Sequence, residues 1–359
     1  MSQIYNFYAG PAVIAKDVLE RAKEELLDFR GTGMSVLEIS HRAKAFDDVM
    51  VEVEANVKQL LGLGDDYRVL FLQGGASTQF SMVPMNFLPE GRTADYIVTG
   101  SWSQKALKEA KKIGSTHVAF DDSENNFRRV PQQEELQFSE DPVYVHMTTN
   151  NTIYGTEFHT IPQVNAPLVA DMSSDIMARP IDAEKFSLIY AGAQKNLGPA
   201  GVTVVIIKKD FLDTAQEVNA TMLKYATHAE KNSLYNTPPC FSIYMVNLVC
   251  QWILEQGGLK AMEAKNRRKA QYLYDAIDQS NGYYIGHAEK DSRSLMNVTF
   301  TMANSDLEKE FVAEGEAQGF IGIKGHRSVG GLRASIYNAM PEEGAKALAQ
   351  FMADFQAKH

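Results

Sequence analysis

The chain has 359 residues, a length that suits two α/β domains better than one simple core. Its 35 lysines and arginines stand against 45 aspartates and glutamates, and the net charge of −10 argues against a nucleic-acid partner, because phosphate backbones bind basic surfaces. The amino terminus lacks the pattern of a signal peptide, and no apolar run approaches the ~20 residues of a membrane span. We therefore expect a cytoplasmic protein with neither a nucleic-acid nor a membrane partner.

Near the amino terminus, apolar residues recur at a helical spacing over residues 17–29, with Asp17 and Glu20 placed as a capping box. Glycines follow at positions 31 and 33 and end this predicted helix. A second helix is predicted after the tripeptide Ser40-His41-Arg42 and runs through Leu60. Two helices therefore precede the first predicted strand.

Strands and helices alternate over the middle of the chain, which predicts a mostly parallel sheet covered by helices on both faces. Short apolar runs typical of buried strands lie at residues 69–72, 95–99, 118–120, 143–146, 167–171, 188–190 and 202–207. Helices at about residues 239–255 and 259–278 lead to a smaller α+β segment. We predict an α/β protein with a large domain at 16–258 and a small domain at 259–359.

The two cysteines, Cys240 and Cys250, lie on one of these predicted helices. Their spacing fits neither a set of metal ligands nor a disulfide framework. We therefore predict no metal site and expect both cysteines to pack in a reducing compartment.

A glycine turn, residues 73–78, follows the first predicted strand and leads into a helix. Such a turn places free backbone N–H groups and the positive end of a helix at one spot, where a phosphate binds well. It lacks the Gly-Lys-Ser/Thr of a nucleotide P-loop and the third glycine of the dinucleotide fingerprint. Alone it would be an ordinary turn; together with Lys195 and Asp171 it predicts a phosphate site with Ala76 and Ser77 as donors.

Lys195 lies in a turn rich in Gly, Ala and Pro between two predicted buried strands. Partial burial disfavours its ammonium form and leaves an amine able to form a Schiff base, although a loop lysine that reaches solvent is the ordinary alternative. Asp171 ends the strand upstream, and the carboxyl ends of strands in an α/β sheet are where ligands bind. A simple ion pair and a pyridoxal phosphate site both fit this arrangement; in the second, the lysine holds the aldehyde and the acid keeps the ring nitrogen protonated.

Trp102 follows the strand at 95–99 and has small neighbours, so its indole face could stack on a pyridine ring; core packing is the alternative. The pairs His41-Arg42 and His326-Arg327, with Arg333, form a second signal. Arginines suit bidentate grips on carboxylate or phosphate. In an acidic chain such a concentration predicts an anion site, although separate solvated arginines remain an alternative.

Four motifs together resemble the signatures of the phosphoserine aminotransferases, a family of class-V, fold-type I aminotransferases that depend on pyridoxal 5'-phosphate. They lie at residues 40–42, 191–201, 235–239 and 324–340, and the resemblance runs from about Tyr5 to the carboxyl terminus. It implies that residues 1–15 pack against the small domain. It also implies a transaminase acting on glutamate and 3-phosphohydroxypyruvate to give 2-oxoglutarate and O-phosphoserine in serine biosynthesis, and often a second reaction toward pyridoxine.

The resemblance also implies a role for each site residue. Lys195 would carry the cofactor and move the proton, with Asp171 at the ring nitrogen, while Arg333 would hold the substrate α-carboxylate. The other predicted cofactor contacts are Ala76, Ser77, Trp102, Thr152, Gln194, and, reaching across a homodimer to the partner's site, Asn236 and Thr237. The predicted contacts to the distal phosphate are His41, Arg42, His326 and Arg327.

Two alternatives remain at this point. Another class-V enzyme, such as an alanine–glyoxylate aminotransferase or a cysteine desulfurase, would not need the two His-Arg pairs, and a desulfurase would need a cysteine in a loop of the small domain. A non-catalytic protein that binds pyridoxal phosphate is the other alternative. The intact Lys195 and Asp171 and the lack of a DNA-binding segment argue against it.

Overall fold

A seven-stranded sheet forms the centre of the larger part of the molecule. The computed structural model describes residues 3–359. Its strands are β1 Tyr5–Asn6, β2 Tyr67–Leu72, β3 Thr93–Val98, β4 Ser115–Asp121, β5 Val145–Thr148, β6 Asn150–Asn151, β7 Thr156–Glu157, β8 Leu168–Asp171, β9 Leu188–Gly192, β10 Thr203–Lys208, β11 Tyr284–Gly286, β12 Asn297–Met302, β13 Phe320–Ile321 and β14 Leu332–Ser335. The large sheet has the order β2-β10-β9-β8-β5-β3-β4. Only β10 runs antiparallel to its neighbours β2 and β9, so the sheet is mostly parallel.

Helices cover both faces of this sheet. The helices of the molecule as a whole are α1 Lys16–Glu24, α2 Lys44–Leu61, α3 Gly75–Phe87, α4 Ser101–Ala110, α5 Lys209–Leu212, α6 Tyr225–Glu230, α7 Cys240–Glu255, α8 Gly258–Asp278, α9 Glu308–Ala317 and α10 Glu342–Lys358. Alternate strand residues enter different cores, because successive side chains of a strand point to opposite faces. In β2, Val69 and Phe71 pack with α1, α2 and α7, whereas Leu70 and Leu72 pack with α3 and α4. The predicted α/β fold class is confirmed.

The carboxyl-terminal part has a core of its own. Its sheet, β11-β12-β14, is antiparallel and packs with α8, α9 and α10. The amino-terminal strand β1 pairs in parallel with β13, which places Tyr5 and Asn6 on this smaller part. The domain boundaries at residues 16–258 and 259–359 stay a prediction.

The first helix is shorter than the sequence predicts. It ends at Glu24 rather than near Phe29, and no side chain caps its first turn, so the predicted box of Asp17 and Glu20 does not form. Phe29 is buried instead by a separate turn, where its ring meets the edge of the Tyr244 ring with centroids 5.5 Å apart. The prediction of a helix over residues 25–29 was wrong, because burial of the Phe29 ring against Tyr244 took precedence over continuation of the helix.

None of the helices between residues 3 and 359 combines the length and the apolarity that crossing a bilayer requires. Cys250 is buried within α7, and Cys240 is half-buried at its first residue.

Candidate active site

A cavity of about 420 Å³ opens at the carboxyl ends of β2, β3, β5, β8 and β9. This is the edge where ligands bind in open α/β sheets. The structure brings nine of the residues predicted from sequence to its walls: Ala76, Ser77, Trp102, Thr152, Asp171, Gln194, Lys195, His326 and Arg333. The lining therefore combines the large sheet with β14 of the smaller part.

Lys195 follows β9 in the turn that leads to β10. The amino-terminal segment packs against it: a Cβ added to Gly10 would lie 3.4 Å from Lys195 Cγ and 3.8 Å from its Cε. The neighbouring backbone is tied to the same segment, because Ala12 N donates to the Gln194 carbonyl at 2.9 Å. The lysine stem is thus enclosed, and its amine faces the cavity rather than open solvent.

Burial lowers the pKa of Lys195, the charge of Asp171 opposes this, and the charge of Arg333 adds to it. Its Nζ lies 5.6 Å from the centroid of the Trp102 ring. No carboxylate oxygen among residues 3–359 lies within 4.0 Å of that Nζ, so the interaction with Asp171 is not a direct ion pair. A neutral amine is therefore more accessible here than on a solvated lysine.

Asp171 is the last residue of β8 and is buried. Its Oδ1 accepts two hydrogen bonds from Ser173, at 2.9 Å from the backbone N and 2.6 Å from Oγ. Burial raises the pKa of Asp171, while the charge of Lys195 and the bonds from Ser173 oppose the rise. One oxygen of the carboxyl is thus fixed by the protein, which orients the group.

Thr152 connects the indole and the guanidinium of the site. Trp102 Nε1 donates to Thr152 Oγ1 at 3.1 Å, and Arg333 Nη1 donates to the Thr152 carbonyl at 2.8 Å. Trp102 stands in the first turn of α4, and Arg333 on β14. Thr152, which lies in a loop, thus bonds to both the indole of the larger part and the guanidinium of the smaller part.

The amino terminus of α3 forms one end of the cavity. Gly74 and Gly75 have positive φ angles of 94° and 63°, and a Cβ on Gly74 would lie only 1.9 Å from Thr78 Oγ1, so glycine is required there. The first backbone N–H groups of a helix have no partner within it, and those of Ala76 and Ser77 are among them. These N–H groups are free to donate to an anion, and the phosphate site predicted here from the sequence stays a prediction.

Five predicted residues do not line this cavity: His41, Arg42, Asn236, Thr237 and Arg327. The first two lie in the turn before α2, and the next two lie in the loop before α7. Arg327 is exposed beside His326, whose Nδ1 lies 2.6 Å from Ser328 Oγ. Burial and the charges of two nearby arginines lower the pKa of His326. The roles assigned to these five residues stay predictions.

Sequence reasoning missed several residues in the cavity wall. They are Ala9, Gly10, Thr148, Asn150, Ile153, Ser173 and Ser174. Ser173 and Ser174 offered a usable signal, because these small polar residues follow the carboxyl end of β8, the edge of the sheet where ligands bind. Gly10 offered none, since no local pattern shows that it will pack on a lysine far along the chain.

Within residues 3–359, the single group of three potential metal ligands is Glu310, Glu314 and His359. It lies at the carboxyl terminus, on the surface and away from the cavity, and Lys358 Nζ already pairs with Glu314 at 2.5 Å.

Comparison with known proteins identifies the family to which this fold belongs. The family model for class-V aminotransferases matches residues 4–348. The chain therefore belongs to the class-V aminotransferase family, and the resemblance seen in the sequence is confirmed.

Three similar proteins carry a more specific name within this family: each is a phosphoserine aminotransferase. A curated phosphoserine aminotransferase from Herpetosiphon aurantiacus is 62% identical over 99% of each chain. A solved phosphoserine aminotransferase from Bacillus circulans subsp. alkalophilus is 54% identical with a TM-score of 0.97 over 99% of each chain. A solved phosphoserine aminotransferase with bound PLP, from Trichomonas vaginalis, is 40% identical with a TM-score of 0.93 and covers 98% of this chain and 100% of its own.

An alanine–glyoxylate aminotransferase from Nostoc sp. is also similar in structure, with a TM-score of 0.78 over 99% of this chain and 96% of its own. Its identity is only 15%, so this likeness shows the fold alone.

Proposed function

We propose that this chain is a pyridoxal-5'-phosphate-dependent aminotransferase that exchanges an amino group between L-glutamate and 3-phosphohydroxypyruvate, giving O-phospho-L-serine and 2-oxoglutarate. The observation that carries the proposal is the single cavity in which Lys195, Asp171 and Trp102 meet beside Arg333. The full-length identity to phosphoserine aminotransferases supports the choice of substrate.

The residues present fit the cofactor. The turn at the start of α3 offers free N–H groups for a phosphate, with Ala76, Ser77 and Gln194 assigned to hold it. Asp171 would face the ring nitrogen and Trp102 would stack on the ring, with Thr152 beside it. Bound pyridoxal phosphate supplies an aldehyde that captures amines and a ring that accepts electrons.

Lys195 is the group that moves protons. Its lowered pKa favours a neutral Nζ, which would take a proton from the substrate Cα and pass it to the aldehyde carbon of the bound cofactor rather than back to Cα. Gly10 and the amino-terminal segment pack against the aliphatic stem of this lysine and so hold its nitrogen toward the cavity. The fixed Oδ1 of Asp171 leaves its other oxygen to keep the ring nitrogen protonated.

Arg333 is assigned to the α-carboxylate that both amino donors carry. It lines the cavity and is held at one nitrogen by Thr152, so its fork is pre-oriented for a planar anion. Its Nε is buried without a partner among the described residues, which is consistent with a group prepared for a ligand.

The distal phosphate of the substrate carries nearly two charges, and an acidic chain must gather local cations to hold it. His326 lines the cavity, and Arg327 is its neighbour. We assign both to the phosphate, together with His41 and Arg42.

We propose a homodimer in which Asn236 and Thr237 complete the partner's cofactor site. What supports this is their position outside the cavity of their own chain. Because His41 and Arg42 also lie outside it, their grip on substrate requires the second subunit as well.

We place the reaction in serine biosynthesis in the cytoplasm. A second reaction, amination of 3-hydroxy-2-oxo-4-phosphooxybutanoate toward pyridoxine, is proposed on the family resemblance alone. It uses the same groups, because this substrate also carries an α-carboxylate and a distal phosphate.

The visible spectrum of the cofactor-loaded protein tests the proposal. L-glutamate and O-phospho-L-serine should each change the absorption of the cofactor bound to Lys195, and L-alanine should not. A response to alanine but not to phosphoserine would favour an alanine–glyoxylate aminotransferase instead. No response to any amino acid would identify a non-catalytic binding protein.

A cysteine desulfurase finds no support in the structure. Cys240 and Cys250 both belong to α7, and neither lines the cavity. Burial raises the pKa of both thiols, to about 12 for Cys250, which opposes a thiolate nucleophile.

A further inference from the structure

Asp175 is a second buried acid near Lys195, and the mechanism above does not use it. It lies in the turn after β8, and its side chain belongs to the buried part of the molecule, with 8% exposure. Its charge opposes the lowering of the Lys195 pKa, and the charge of Asp171 raises the pKa of Asp175. Because Coulomb interactions are mutual, a change in the charge of Asp175 is felt by both members of the reactive pair.

A hydroxyl connects the carboxyl group of Asp175 to the backbone carbonyl of Asp171. Thr149 Oγ1 lies 2.5 Å from Asp175 Oδ1 and 3.1 Å from the backbone carbonyl of Asp171. A threonine hydroxyl has one proton to donate. If it donates to the ionised Asp175, the carbonyl of Asp171 loses that donor. If Asp175 is protonated, it can donate to Thr149, whose own proton then goes to the carbonyl.

The charged groups around Asp175 leave it without a cation of its own. Glu157 is fully buried and faces it, and Arg179 is committed to Glu157, with Nε 3.2 Å from Glu157 Oε1. No cationic nitrogen among residues 3–359 lies within 4.0 Å of the Asp175 carboxyl.

Compared with a solvated aspartate, the balance of these effects shifts Asp175 toward its protonated form. Burial, and after it the charge of Glu157, raise the pKa of Asp175 to about 7, while the Thr149 bond and the charge of Arg179 oppose the rise. The acid thus has two accessible states, and the direction of the Thr149 hydrogen bond distinguishes them.

We propose that Asp175 is a positioning residue whose ionisation state sets how tightly Lys195 Nζ holds a proton, through its charge and through the Thr149 link to Asp171. This rests on the proposed function, in which Lys195 moves the proton. An ionised Asp175 favours the protonated lysine nitrogen, and a neutral one favours its release.

The test is a spectroscopic pH titration of the cofactor-loaded protein from about pH 5 to about pH 10, a range that spans both groups. In the unchanged protein the absorption of the cofactor bound to Lys195 should follow a curve broader than that of one site, because two interacting groups titrate together. Asp175→Asn keeps the shape and an oxygen for Thr149 but removes the charge. It should give a single-site curve, with the proton dissociation constant at Lys195 raised roughly threefold or more.

Three further variants guard against a folding defect. Thr149→Val removes the bond that favours ionised Asp175, so it should shift the midpoint in the same direction but less, and Thr149→Ser should restore it. Asp306→Asn makes the same chemical change at an exposed acid of the smaller part and should shift nothing. Far-ultraviolet circular dichroism verifies the fold of each variant.

The outcomes separate the two claims. Unchanged midpoints in both Asp175→Asn and Thr149→Val would overturn the role of Asp175. A loaded protein in which the cofactor never binds Lys195 would instead overturn the proposed function.

Discussion

Arg333 offers the sharpest test of how the substrates are held. It is fixed at Nη1 by the Thr152 carbonyl at 2.8 Å and lines the cavity beside Lys195. Glutamate and phosphoserine both carry the α-carboxylate assigned to it. Arg333→Gln should therefore weaken the reaction with both donors to a similar degree.

The magnitude follows from the geometry. A guanidinium fork can make two charge-assisted hydrogen bonds to a carboxylate, each worth about 1.5–3 kcal/mol. Two such bonds together contribute about 3–6 kcal/mol of transition-state stabilisation. Glutamine keeps one neutral donor, so we expect a loss near the lower end of this range, about 3–4 kcal/mol. This corresponds to a loss of roughly 150- to 900-fold in kcat/KM for each donor.

The assay measures kcat/KM for glutamate and for phosphoserine as donors in Arg333→Gln and in a matched variant, Arg327→Gln. Arg327 is assigned to the distal phosphate, so its loss should damage phosphoserine far more than glutamate. The ratio of the two losses is the decisive quantity. A near-normal glutamate reaction in Arg333→Gln, or equal losses in Arg327→Gln, would refute the assignment.

Three other variants extend the test. Lys195→Ala should abolish turnover with an unchanged circular dichroism spectrum, and unimpaired turnover would remove the mechanism. Arg42→Ala should weaken phosphoserine binding, measured by spectral titration, far more than cofactor retention; equal losses would indicate a structural role. Lys269 is fully buried and donates to the carbonyls of Ile336 and Tyr337 at 2.8 and 2.6 Å, and burial holds its pKa well below 10.5. The unfolded chain therefore binds a proton that the native state lacks, so this lysine makes the unfolding free energy rise with pH, by at most about 1.4 kcal/mol per unit, up to the unfolded pKa. Urea titrations at several pH values should show a shallower rise in Lys269→Met, and an identical slope would show that the lysine is charged in the native state.

Much of the sheet could be predicted because its strands are buried on both faces and appear as continuous apolar runs. The run at 188–190 became β9, which ends two residues later than predicted, and the run at 202–207 became β10, which lies one residue further along the chain. The antiparallel direction of β10 was not predicted, although a signal existed. Only residues 193–202 separate β9 from β10, which is too short for the helical crossover that a parallel pair requires.

The residues of the site also fall into those that the sequence could predict and those that it could not. Lys195, Asp171 and Trp102 could be placed together because each follows a strand of one sheet, and the carboxyl ends of parallel strands meet at one edge. Thr152 could not, because its loop carries no pattern that points to an indole and a guanidinium. Sequence order also cannot show whether a side chain such as Asn236 serves its own cavity or a neighbour's.

The residues assigned to the reaction do not all lie in one cavity of the chain, which matters for the enzyme as a whole. One chain gathers the groups assigned to the proton transfer, Lys195 and Asp171, in a single cavity. It does not gather His41 and Arg42, which are assigned to the doubly charged phosphate. If the partner supplies them, cofactor chemistry belongs to each subunit, whereas discrimination between phosphoserine and an uncharged amino acid depends on the contact between subunits as well as on His326 and Arg327. Weakening that contact should therefore erode selectivity for the phosphate before it removes the reactivity of Lys195.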